Sequence, residues 1–157
     1  MRIMAIDYGD AHTGVAVSDL TGLVAGYTTV IHSRRQEEVL LRLGEIIGEY
    51  GVTELALGWP KNMDGTLGPR AEKAETLAGE LRERFRLPVK LWDERRTTVD
   101  AHNILAGAGK NAKKRKKNVD AVAAALILEG YLAYRRTNPP PDGGRLPDGG
   151  RLPEGGT

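Results

Sequence analysis

Residues 2–19 read RIMAIDYGDAHTGVAVSD, and the fold turns on how this stretch is read. Arg2–Ile6 and Gly14–Ser18 are short runs rich in Val, Ile and Ala, the composition of buried strands. Between them Gly9-Asp10-Ala11-His12 supplies turn formers, so the segment is predicted as a strand, a tight turn and a second strand. Asp7 ends the first apolar run, which puts a carboxylate where that strand leaves the sheet.

Outward from this hairpin, Leu23–Ile31 is predicted as a third strand, completing an antiparallel meander. From Gln36 to Tyr50 the residues Val39, Leu40, Leu43, Ile46 and Ile47 recur at helical spacing, and Gly51 is placed to end the helix. Thr53–Leu57 reads as a strand buried on both faces. Pro69–Phe85 reads as a helix through Ala74, Leu77, Ala78 and Leu81, and Pro88–Trp92 as a fifth strand. Thr97–Leu105 and Val119–Tyr134 are the last two predicted helices. The order is βββαβαβαα, in which strands joined by crossover helices run parallel. An α/β domain follows, with a mixed five-stranded sheet flanked by helices.

The chain has 157 residues, 40% of them apolar, which suffices for one core. It lacks cysteine, so disulfides, thiol nucleophiles and thiolate metal sites are excluded. MRIMAI is too short for a signal-peptide core and no run reaches membrane-spanning length, so a cytoplasmic protein without membrane association is expected. Net charge is only +2, yet six of the 23 basic residues fall between Lys110 and Lys117 with no acid among them. That concentration suits a polyanion. From residue 137 onward the chain turns to Pro, Gly, Asp and Arg, with DGGRLP at 142–147 repeated at 148–153. The expected organisation is a domain over 1–136 and a disordered tail over 137–157, which has little to bury against the entropy of ordering.

Two further acids stand at element ends. Glu94 follows the strand PVKLW, and Asp120 opens a helix whose Ala123, Ala124, Ile127 and Tyr131 form an apolar face. Asp120 there also has an ordinary explanation, the favourable helix dipole. Three carboxylates at element ends suit a hard divalent cation, which prefers oxygen ligands. His12, His32 and His102 lack zinc-ligand spacing, and Ser18 and Ser33 lack a nucleophile elbow. The loop Gly58–Thr66 carries the donors Lys61 and Asn62 among turn formers, but not the glycine spacing of a phosphate-binding loop.

Four segments, IMAIDYGDAHTGVAVSD (3–19), LALGWPKNMDGTLG (55–68), DERRTTVDAHNIL (93–105) and KNVDAVAAALILEGYL (117–132), resemble in order those of the YqgF family of Holliday-junction-resolvase-like proteins, also called pre-16S rRNA nucleases. The resemblance spans residues 2–134 and implies an RNase H-like fold. It implies that Asp7, Glu94 and Asp120 are catalytic ligands of Mg²⁺ or Mn²⁺ and that the chain hydrolyses phosphodiester bonds. Nucleic-acid contacts are expected from Gly9, Lys61, Asn62, Arg95, Lys113, Lys114, Arg115, Lys116 and Lys117. The implied substrate is structured RNA, in processing of the 5′ end of pre-16S rRNA with a ribosomal precursor as partner. Branched DNA, as for a junction resolvase, and non-catalytic RNA binding are the alternatives. The chain departs from the family in two places. Ala11-His12-Thr13 replaces a basic pair, and Ala123-Ala124 follows Asp120 where resolvases carry a fourth acid. One metal or two stays open.

Overall fold

A computed structural model describes residues 2–62, 64–93 and 121–138, together with the backbone of 119–120. Its strands are β1 (Ile3–Asp7), β2 (His12–Ser18), β3 (Ala25–His32), β4 (Glu54–Trp59) and β5 (Val89–Asp93). Its helices are α1 (Gln36–Tyr50), α2 (Pro69–Phe85) and α3 (Val119–Thr137). The sheet order is β3-β2-β1-β4-β5. Neighbours β1–β2 and β2–β3 are antiparallel, whereas β1–β4 and β4–β5 are parallel. This is the mixed five-stranded sheet expected from the sequence. The predicted helix over 97–105 and the repeat-bearing tail lie outside the described residues.

The pleat sorts the sheet's side chains between two cores. Met4, Ile6, Val15, Val17, Leu55 and Leu57 face α1 and α2, packing against Leu40, Leu43, Ile46, Leu77 and Leu81. Ile3, Ala5, Ala16, Ala56 and Trp92 face α3, packing against Ala124, Ile127, Leu128 and Tyr131. The alanines in the middle of the second face let α3 lie close to the backbone of the central strands.

Several boundaries differ from the sequence reading; β2 opens two residues earlier, at His12, and β4 runs two residues further, to Trp59. Leu23 and Val24 are 53% and 49% exposed and precede the third strand rather than opening it. Asp19 explains this: its Oδ1 accepts from the backbone N–H of Gly22 at 2.9 Å and from the Thr21 hydroxyl at 2.7 Å, holding the chain in a turn. Gly22, with φ 74°, completes that turn. The last helix runs three residues past Tyr134 to Thr137, and the Asn138 amide donates to Tyr134 O at 2.8 Å. The predicted start of the tail at 137 is therefore helical.

The far end of α3 is anchored by a buried polar cluster. Glu54, the first residue of β4, is 3% exposed and accepts hydrogen bonds from the Tyr131 hydroxyl and the Arg135 guanidinium. Arg135 also donates to the Tyr131 hydroxyl at 2.9 Å. Burial and the neighbouring Glu54 carboxylate push the Tyr131 hydroxyl well above the ordinary tyrosine range.

Candidate active site

Asp7 is the last residue of β1 and is half-buried. The alternation that sends Ile3 and Ala5 toward α3 assigns Asp7 the same face. Across β2 it pairs with Gly14. On the other side, Ile6 pairs with Leu57, so the register continues from Asp7 to Gly58, and Gly58 pairs with Trp92. The row across the sheet is thus Gly14, Asp7, Gly58, Trp92. Both strand neighbours of the carboxylate lack a side chain. A hydrated cation bound to phosphate needs room of that kind beside its ligand.

The β1–β2 turn behind Asp7 is tightly specified. A Cβ on Gly9 would lie 2.5 Å from the His12 carbonyl oxygen, a distance no side chain tolerates. Gly9, expected as a nucleic-acid contact, has this steric reason to be glycine. His12 and His32 pair across β2 and β3 with ring centroids 4.9 Å apart, edge to face.

The loop after β4 is closed by its own side chains. Asn62 Nδ2 donates to Thr66 Oγ1 at 2.9 Å, and the Thr66 hydroxyl donates to Asp64 Oδ1 at 2.7 Å. Lys61 Nζ stands 4.0 Å from the Trp59 ring centroid, and Trp59 Nε1 donates to Glu75 at 3.0 Å. Lys61 and Asn62 are therefore held at the loop, with their polar groups already engaged within it.

Glu94 directly follows Asp93, the last residue of β5, and lies outside the described residues, as do Arg95, Lys113, Lys114, Arg115, Lys116 and Lys117. Asp120 is the second residue of α3, and the description of its side chain is outside those bounds as well. Among the described residues no three His, Asp or Glu side chains converge as a ligand set.

Sequence reasoning missed a second feature near Asp7. On the opposite face of the sheet, a cavity of about 490 Å³ opens beside the β1–β2 turn and the starts of α1 and α2. It is lined by Tyr8, Asp10, Arg34, Gln36, Lys73 and Thr76, among others. Lys73 Nζ donates to Asp10 Oδ1 at 3.0 Å across 63 residues of chain. That bond, with the charge of Lys73 and the nearby Arg70 and Arg34, holds Asp10 below the usual carboxylate range.

Comparison with solved structures identifies the architecture. Thermus thermophilus RuvC in complex with Holliday junction substrate superposes with a TM-score of 0.62 at 18% identity, covering 88% of this chain and 96% of that one. The fowlpox virus Holliday junction resolvase follows at 0.51 and 14%, covering 88% of this chain and 99% of that one. The fold is RNase H-like. The family and relatives given next set the class within that fold: a nuclease, a hydrolase of nucleic acid.

The chain belongs to the RuvX family, Holliday junction resolvase, whose profile matches residues 1–134. A Geobacillus kaustophilus protein named "Putative pre-16S rRNA nuclease" is 51% identical over 138 residues, 87% of this chain and all of that one. A Halothermothrix orenii protein of the same name is 48% identical over 135 residues, 86% of this chain and 96% of that one. Resolvase-like nucleases generally use divalent metal ions. Among the described residues no helix is long and apolar enough to cross a membrane.

Proposed function

We propose that the chain is a Mg²⁺- or Mn²⁺-dependent nuclease that trims the 5′ end of pre-16S rRNA, with Asp7, Glu94 and Asp120 as the metal ligands. The observation that carries this reading is Asp7 at the end of β1 between Gly14 and Gly58, in a chain about half identical to proteins bearing the pre-16S nuclease name. Glu94 supports it by its place in the sequence directly after β5, a strand that stands second from β1 in the sheet order. Asp120 supports it through the direction of α3. Tyr131 and Arg135 are tied to Glu54, which pairs with Ile3 at the far end of β1. The eleven residues back to Asp120 span about 16 Å of helix, comparable with the length of β1, so the head of α3 reaches toward the Asp7 end.

All three ligands are carboxylates, the donors a hard cation takes. When bound, such a cation polarises the phosphate and lowers the pKa of an attacking water. The chain's own part would be to supply three carboxylates to the cation, with glycines rather than bulky residues on the strands either side of Asp7. The basic run Lys113–Lys117, three residues before Asp120, would draw the phosphate backbone to the same edge.

A second reading, cleavage of four-way DNA junctions, is favoured by the family's description as resolvases. One assay separates the two. Purified protein is incubated with Mg²⁺ or Mn²⁺ and three substrates: RNA carrying a 5′ extension of 16S rRNA, unstructured RNA and a four-way DNA junction. Preferred cleavage within the 5′ extension supports the first reading. Symmetric junction nicking with intact RNA supports the second.

A further inference from the structure

We infer that Glu54, Tyr131 and Arg135 form a register pin: positioning residues that fix how far along the sheet helix α3 lies, and hence where its second residue, Asp120, stands relative to Asp7. This rests on the nuclease reading and deepens it by naming residues that act through one of the three ligands. The pin closes a frame of two arms. β4 carries Glu54 at its start, paired with Ile3, and Gly58 four residues on, about 13 Å away in strand rise. Helix α3 carries Tyr131 and Arg135 one turn apart, with Asp120 eleven residues back from Tyr131. The arms meet where Glu54 Oε2 accepts from both the Tyr131 hydroxyl and the Arg135 guanidinium.

Toward Asp120 the contact between helix and sheet is smooth. The sheet offers Ala5, Ala16 and Ala56 to α3, and the helix turns next to Asp120 bury Ala121, Ala124 and Ala125. Apolar burial is non-directional, so methyl groups against methyl groups resist an axial slide only weakly. One carboxylate oxygen shared by two donors does resist it, because hydrogen bonds hold over a narrow range of distance and angle. A slide of one residue moves the helix by about 1.5 Å. A hard cation that demands close to octahedral geometry from its carboxylates does not absorb such a displacement. The cluster is also poorly built for stability alone. Glu54 is 3% exposed, and among the described residues its other oxygen, Oε1, is buried without a hydrogen-bond partner. Stripping two charges of water costs about what their attraction returns, so apolar side chains of similar volume would hold the fold at least as well. Apolar side chains would not hold the register.

The test replaces the whole cluster, Glu54→Leu/Tyr131→Phe/Arg135→Met, in the full chain and compares it with wild type. Three quantities are read: metal-free melting temperature, Mn²⁺ affinity from the electron paramagnetic resonance signal of free Mn²⁺, and single-turnover cleavage of RNA alongside metal-free RNA binding. The triple variant should melt at or above wild type and bind RNA equally well. Its Mn²⁺ dissociation constant should rise by about tenfold or more, and its cleavage rate should fall by about 10²-fold. Wild-type Mn²⁺ affinity and cleavage in the triple variant overturn the pin and leave the nuclease reading standing. A wild-type chain that neither binds Mn²⁺ nor cleaves overturns both. If the triple variant melts well below wild type, Glu54→Gln, which keeps the shape and removes the charge, is read in its place. Weaker Mn²⁺ binding with unchanged RNA binding in Glu54→Gln supports the pin, and wild-type Mn²⁺ affinity there overturns it.

Discussion

Glu54 shows how much one side chain can carry at a distance from the chemistry. It sits in the buried strand ELALGW, and its Oε2 accepts from both Tyr131 and Arg135. Removing it leaves the Arg135 charge buried without its partner, a loss of about 3–5 kcal/mol. Urea denaturation of Glu54→Ala should report that loss, and a cost below about 1 kcal/mol would mean that Arg135 swings into water. Tyr131 adds a pH dependence of definite sign. Its hydroxyl titrates higher in the folded than in the unfolded state, so its contribution is complete below the unfolded value of about 10. It is lost as pH rises from there toward the folded value. Melting temperature should therefore fall above about pH 10, and the fall should be shallower in Tyr131→Phe.

At the scale of elements, the β1–β2 hairpin holds the acid. Gly9→Ala would drive a methyl group against the His12 carbonyl, so the turn must open. A cost of about 1–3 kcal/mol is expected, read by thermal unfolding. Cleavage should fall with it, since Asp7 is two residues away. Wild-type stability in Gly9→Ala would show that the turn relaxes freely. These elements were legible in the sequence because their apolar periods are clean: α1 and α2 at 3.6 residues, β1 and β4 as unbroken buried runs. Leu23 and Val24 misled by composition alone, since the carboxylate of Asp19 takes the backbone into a turn there. The acid of the site was legible as a carboxylate ending an apolar strand. Its glycine neighbours were not, because Gly14 and Gly58 meet Asp7 only through strand register. The Glu54 cluster joins residues 77 and 81 positions apart, and the Asp10–Lys73 pair spans 63. No local pattern encodes such contacts.

For the whole molecule, the described residues of the two cores run from Ile3 to Val89 and from Trp92 to Leu132, outside 94–120, and helix α3 ends at Thr137. The repeats beyond have little apolar surface to contribute, so truncation after Asn138 should leave melting temperature and cleavage unchanged. A drop of several degrees would show that the tail packs on the domain. The central claim is that a carboxylate at the end of β1 makes this RNase H-like domain a metal-dependent nuclease. Asp7→Asn keeps the volume and removes a negative ligand. Single-turnover cleavage of RNA bearing the 16S 5′ extension, with Mn²⁺, should fall by at least about 10²-fold in Asp7→Asn. Binding of that RNA and the metal-free melting temperature should stay at wild-type values. Cleavage by Asp7→Asn at the wild-type rate would contradict the account.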